Sequence, residues 1–487
     1  MASSTLNAKA ARSSVVVIGG GVAGIAAACA LADAGFRVQL LERRPYLGGR
    51  ASSYEHPGTG EVIDNCQHIL LGSCTNLIDL YERLGVASSI RWFDRFTFIE
   101  PGGRCSVLQP SWLPAPLHSS LSFLGAHAFS AADKLALSRG LSAFLLGVPG
   151  DSEENFADWL VRHKQTPAAI ERFWKPVLVS ALNEEMERIS VHYAGKVIRE
   201  TFLRSAEAGR MGVPSVPLSE LYGRAVDYIE ARGGSVHVRA SAESFERMPA
   251  PGAGKSDRWL VRSADADFAA DAVVLALSFE GMAAMLPHLP GGDGATGLGA
   301  QLGRFEHSPI TGIHLWFDRE ITDLEHAVLL DTTIQWMYNK SKLQQGRHGA
   351  AGGASGGSYL ELVVSASRSM VPMQRQEIID LAVRELALFF PAVREATLLK
   401  AAVVKEVRAT YSIRPGLDAF RPGAVSPWPG IFLAGDWTAT GWPATMEGAV
   451  RSGYLAGDAV LAEVDRGSAR SFVRPDLPAA GLMRLVK

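Results

Sequence analysis

The spacing Gly19-x-Gly21-x-x-Gly24 lies between two apolar runs, and this placement constrains the fold more than any other feature of the chain. Upstream, Val15, Val16, Val17 and Ile18 form a β-branched run that predicts a buried strand. Downstream, an alanine-rich stretch of helical character reaches Asp33 and Gly35, and Phe36–Glu42 reads as a second strand. Strand, glycine turn, helix and strand make a βαβ unit, which predicts a parallel sheet. The nearly uncharged run Ser14–Phe36 has the length of a membrane helix, but the glycine turn and the flanking strand residues favour the βαβ reading.

The turn assigns chemistry to its residues. Gly19 permits the tight turn, Gly21 lets a pyrophosphate approach the backbone, and Gly24 lets helix and strand pack closely. The helix that starts at Val22 and Ala23 turns its unpaired amides and positive dipole end toward the phosphates. Glu42, ending the second strand, is placed to accept from a ribose hydroxyl, so FAD or NAD is favoured over NADP. Arg43 and Arg44 follow it.

Charge excludes one large class: 48 basic residues face 50 acidic ones, so electrostatic capture of nucleic acid is not expected. The four cysteines contain no Cys-x-x-Cys pair, which predicts neither a paired-cysteine metal site nor a disulfide framework and suits a reducing cytoplasm. Met1–Arg12 has no apolar core and reads as a tail. Glycine supplies 49 of 487 residues, above the usual share of about 7%, and part of that surplus falls at Gly346–Ser358, read as a flexible loop.

Beyond Glu42, the segment Arg43-Arg44-Pro45-Tyr46-Leu47-Gly48-Gly49-Arg50 resembles the extended fingerprint of the amine-oxidase and phytoene-desaturase superfamily of FAD enzymes. The resemblance implies that Gly49 meets the pyrophosphate and Arg50 lies near the flavin. A second half-site resembles the same superfamily: Gly430–Gly435, then Asp436, then Thr445 and Met446 opening a helix. It implies contact of Asp436 with the ribityl-phosphate, helix amides at the flavin, and Ala242 at the adenine. The implied fold is α/β, a Rossmann-like FAD-binding domain interleaved with an α+β substrate domain. The expected cofactor segments are 13–105, 211–290 and 400–465; 106–210 and 291–399 build the substrate domain; 1–12 and 466–487 are tails. Gly254-Lys255-Ser256 lacks the first glycine of a phosphate loop and reads as a plain loop.

Asp64-Asn65-Cys66-Gln67-His68, with Phe173-Trp174-Lys175-Pro176 and Trp442–Ala449, is similar to hydroxysqualene dehydroxylases, the squalene-associated FAD-dependent desaturases. That resemblance implies reduction of hydroxysqualene to squalene, with His68 as proton donor and His68, Trp174 and Trp442 at the substrate. Asp64 and Glu447 are weaker acid candidates, since either suits a backbone cap. The alternatives are a carotenoid-type desaturase or isomerase, an amine oxidase and a prenyl-lipid escort protein. Ile310–Asp318, where amine oxidases carry a flavin-facing lysine, has none. The apolar pattern from Trp112 to Leu146 reads as substrate-domain core or as a surface lying on the inner face of a membrane. No second nucleotide fingerprint identifies the electron donor.

Overall fold

A computed structural model describes residues 13–249, 257–345, 357–464 and 471–486. Met1–Arg12, Gly254-Lys255-Ser256 and most of the Gly346–Ser358 stretch lie outside the described residues.

The βαβ unit forms as its pattern predicts: strand Ser14–Ile18, helix Val22–Asp33, strand Arg37–Glu42. The first strand is buried throughout, as expected for a parallel strand covered on both faces. It is the centre of a five-stranded parallel sheet in the order Ser235–Val238, Arg37–Glu42, Ser14–Ile18, Ala272–Ala276, Ile431–Ala434. Three distant parts of the chain thus meet in one sheet. The apolar run Ser14–Phe36 divides into strand and helix, and no described helix is long and apolar enough to cross a membrane.

A seven-stranded sheet forms the second layer system, in the order Leu398–Tyr411, His307–Phe317, Ser358–Ser365, Trp336–Asn339, His326–Leu329, Phe96–Ile99, Cys105–Leu108. Period-two alternation sorts its side chains: Met337 joins the cluster under helix Arg375–Phe389, whereas Trp336 and Tyr338 face the helical layer on the other side. That layer contains Lys175–Leu182 and Val191–Val197.

The expected segment boundaries need correction. Strands Phe96–Ile99 and Cys105–Leu108, and the long strand Leu398–Tyr411, belong to the substrate sheet, because their edges pair there and not with the cofactor sheet. Residues 471–486 are not a tail. Phe472 is buried, the Arg474 amide donates to Asn76 Oδ1 at 2.7 Å, and the Leu482 amide donates to the Ala115 carbonyl at 2.8 Å.

Candidate functional site

The glycine turn is shaped by two different demands. A Cβ at Gly24 would lie 1.8 Å from the Gly19 carbonyl oxygen, so only hydrogen lets the helix pack this closely. A Cβ at Gly21 would meet nothing nearer than Gly49 Cα at 3.9 Å, so that side of the turn is open. Gly21 precedes helix Val22–Asp33 and has no side chain to cap it, which leaves the first-turn amides for an external anion. The Gly48 amide donates to the Gly20 carbonyl at 2.8 Å and brings the second glycine pair alongside the first.

Glu42 holds this arrangement together. Its buried carboxylate accepts from the Gly20 amide at 2.6 Å and the Arg44 amide at 2.8 Å, one bond per oxygen, so each oxygen retains capacity for a ribose hydroxyl. Arg43 is exposed; Arg44 is the arginine tied into the turn, donating to the Gly49 carbonyl at 2.8 Å. Ala242 opens strand Ala242–Met248, two residues after Ala240, whose amide donates to the Glu42 carbonyl at 2.9 Å.

The C-terminal half-site arrives on strand Ile431–Ala434. The Gly435 amide donates to Ser452 Oγ at 2.8 Å, and buried Asp436 accepts from Arg50 Nη2 at 2.6 Å. Sequence reasoning missed Arg421. Its buried guanidinium donates to the Asp436, Trp437 and Thr438 carbonyls and so shapes the loop after Asp436. Helix Met446–Val464 starts with Thr445 Oγ1 accepting from the Gly448 amide at 3.1 Å, and Tyr222 donates to Met446 Sδ at 3.3 Å.

Both weaker acid candidates are committed elsewhere. Glu447 caps helix Thr75–Arg83 by accepting from the Asn76 and Leu77 amides at 3.2 and 2.8 Å, and pairs with Arg451. Asp64 accepts from Ser53 Oγ at 2.6 Å, the Leu218 amide at 3.1 Å and Lys340 Nζ at 2.7 Å. Although burial raises the Asp64 pKa, the ammonium and these donors bring it below the ordinary carboxylate value.

Half-buried His68 does not suit proton donation. Its Nδ1 lies 2.8 Å from the Cys66 carbonyl, which can only accept, so the ring proton sits on Nδ1 and Nε2 carries a lone pair. Burial lowers its pKa, opposed by the Cys66 bond and by Asp64, and the neutral ring dominates at pH 7. The loop around it is fixed at Asn65, whose Nδ2 donates to the Arg50 carbonyl at 2.8 Å.

A cavity of about 490 Å³, predominantly apolar, runs from Trp442, Pro443, Thr445 and Met446 to Leu117, Phe123, Leu141 and Leu145. Trp442 lines it as expected; His68 lies outside the lining, which passes through Ile69. Trp174 is a correction. It is fully buried, donates from Nε1 to Gln165 Oε1 at 2.8 Å, and packs with Phe156 and Trp159, while its neighbour Phe173 faces the cavity. Lys196, which the sequence did not single out, lines the cavity with Nζ 5.3 Å from the Trp442 ring centre. Among the described residues no group of three or more His, Cys, Asp or Glu is placed to hold a metal.

Uncapped amides, an open glycine face, a ribose acceptor and a second half-site beside Arg50 fit a long dinucleotide. The model of the flavin-containing amine oxidoreductase family matches residues 22–461. The chain is 26% identical to the 15-cis-phytoene desaturase of Synechococcus elongatus, over 95% of this chain and 98% of that protein. It is also 26% identical to a probable zeta-carotene desaturase of the same organism, over 92% and 98%. Among solved structures, an oxidoreductase from Methanosarcina mazei superposes with a TM-score of 0.67 at 16% identity, covering 92% of this chain and 99% of that one. Cyclohexylamine oxidase from Brevibacterium oxydans gives 0.61 at 19% identity, covering 93% and 100%. With its half-sites joined and the family model spanning nearly all of it, the chain belongs to the flavin-containing amine oxidoreductases and is an FAD-dependent oxidoreductase.

Proposed function

We propose that the protein is a desaturase of a long apolar isoprenoid of the carotenoid-precursor type. The observation that carries this reading is the cavity: about 490 Å³ of predominantly apolar space ending at Trp442 and Met446, beside the expected flavin position. A hydrocarbon loses little on entering such a space, whereas a small polar amine would leave its solvation unmatched. FAD, when bound, supplies a two-electron acceptor for hydride. Desaturation also requires that a proton leave the neighbouring carbon; the neutral His68, next in the chain to Ile69 of the cavity lining, can receive one at Nε2 through a bridging water but holds its own on Nδ1. This replaces the expectation of His68 as a proton donor, and the carotenoid desaturases among the relatives favour the same oxidative direction.

The far end of the cavity supports delivery from a membrane surface. Around Leu117 and Leu141, the side chains of Trp112, Leu121, Leu124 and Leu146 are exposed, with Trp112 85% exposed. This apolar rim suits a bilayer interface from which a lipid substrate enters without crossing water. Electrons then leave through an external redox partner.

One observation favours a second reading, reduction of hydroxysqualene. Lys196 places an ammonium inside the apolar cavity beside Trp442, and burial lowers its pKa, easing release of a proton to a departing hydroxyl. In that reaction the C–O bond breaks, water leaves with that proton, and hydride adds to the carbon. Product analysis separates the two: holoenzyme given phytoene in liposomes yields more conjugated polyenes on the first reading, and reduced holoenzyme given hydroxysqualene yields squalene on the second.

A further inference from the structure

Behind the Asn65–His68 loop lies a cluster that the proposed chemistry does not use. Lys340, 1% exposed, directs its Nζ to Asp64 Oδ2 at 2.7 Å, Gln67 Oε1 at 3.0 Å and Glu361 Oε2 at 3.3 Å. An ammonium has three protons, and here three acceptors surround it. The acceptors come from different places: Asp64 ends strand Glu61–Asp64, Gln67 belongs to the loop, and Glu361 lies within strand Ser358–Ser365 of the substrate sheet. Gln67 Nε2 in turn donates to the His68 carbonyl at 3.0 Å. A continuous path therefore runs from the substrate sheet through Lys340 and Gln67 to His68.

Burial of such a group needs a reason besides stability, because apolar replacements of buried ion clusters are often as stable or more so. We propose that Lys340, clamped between Asp64 and Glu361, is a positioning residue for His68, acting through Gln67, and that the charge on Glu361 sets the state of that loop. Two carboxylates share one ammonium, so the cluster carries an excess negative charge unless one of them is protonated. Asp64 has the shorter contact with Lys340 and donors from Ser53 and Leu218, which leaves Glu361 as the group that takes the proton. Burial pushes Glu361 up to about 7, with Lys340 opposing.

Three of the groups facing Glu361 do not titrate with it. Tyr338 and Tyr359, on the adjoining strand and on its own, are pushed well above 10.0 by burial, and the Cys66 thiol across from them well above 9.0. His314 is its register partner on strand His307–Phe317, with Nδ1 2.8 Å from the Tyr359 hydroxyl. The Lys340 contacts with Asp64, Gln67 and Glu361 are the same whichever isoprenoid is turned over.

The test uses FAD-loaded full-length protein labelled with ¹⁵N-histidine, followed by NMR from pH 5.5 to 8.5, with His68 signals assigned by their loss in His68→Gln. In the wild type, the His68 shifts should inflect near pH 7, and Glu361→Gln should remove that inflection while leaving FAD bound. Lys340→Met should displace the His68 signals at every pH, and Lys340→Arg should restore them in part. Retention of the inflection in Glu361→Gln overturns the proposal, as do Lys340→Met signals that superimpose on the wild type. If Lys340→Met does not fold, the Glu361→Gln titration decides alone.

Discussion

Arg50 and Asp436, 386 positions apart, are joined by a guanidinium–carboxylate contact of 2.6 Å. The same arginine donates to the Ala409 carbonyl at 3.0 Å, on the long strand of the substrate sheet. One side chain therefore ties the first glycine region, the C-terminal half-site and the second sheet together. Asp436→Asn should weaken FAD binding roughly tenfold, about 1.4 kcal/mol, a value kept modest because Arg50 is partly open to solvent. Fluorescence titration of apoprotein with FAD measures it.

Two glycines of one motif should behave oppositely. Gly24→Ala forces a Cβ against the Gly19 carbonyl and should lower stability by about 1–3 kcal/mol. Gly21→Ala meets no neighbour within the fold, so the apoprotein should melt like the wild type while FAD affinity falls at least roughly tenfold. Thermal unfolding of the two apoproteins, followed by FAD titration, distinguishes folding glycine from binding glycine.

These features were legible in the sequence because each sits in a short recognisable motif. Gly19–Gly24, Glu42, Gly48–Gly49 and Gly435–Asp436 carry that signal within a few residues, although Glu42 meets Gly20 and Asp436 meets Arg50 only once the chain is folded. Lys340, Arg421 and Lys196 belong to no such motif: Lys340 and Lys196 meet partners from remote segments, and Arg421 gathers the Asp436, Trp437 and Thr438 carbonyls across an irregular connection. Trp174, which the family resemblance placed at the substrate, fails for a different reason: in the π-helical turn Ile170–Trp174 it enters the aromatic core, and its neighbour Phe173 lines the cavity. Trp174→Ala should therefore cost about 3–5 kcal/mol of stability through the aromatic core, measured by denaturant unfolding.

The protonation state of His68 predicts a one-sided pH profile. Its pKa lies below 6.5, so the ring is neutral and able to accept a proton at and above that pH. Turnover should fall in acid as the ring gains its second proton, and in Glu361→Gln, which lacks the transition near pH 7, that acid limb should be seen alone. His68→Gln should lower kcat by ~10²–10⁴-fold and remove the acid limb. Steady-state rates across pH 5–8 provide the check.

Glu361 and Asp64 should affect stability with opposite signs. Asp64 is held below its ordinary value, so its contribution is present above pH 3.8 and lost as pH falls through the lowered pKa. Glu361 is raised from 4.5 to about 7, so its burial costs stability increasingly as pH rises between those values. Glu361→Gln should gain relative to the wild type between pH 5 and 8 by on the order of 3 kcal/mol. Denaturant unfolding at both pH values measures the difference.

The account as a whole stands on oxidation of a long hydrocarbon in the cavity that ends at Trp442. The most direct measurement is the anaerobic absorbance of oxidised holoenzyme mixed with phytoene in liposomes. The account predicts loss of the oxidised flavin band together with growth of a longer conjugated polyene, each at a rate that falls when Phe173 or Phe202 in the cavity is replaced by a polar residue. An unchanged flavin band with phytoene, alongside reoxidation of reduced holoenzyme by hydroxysqualene, would contradict it.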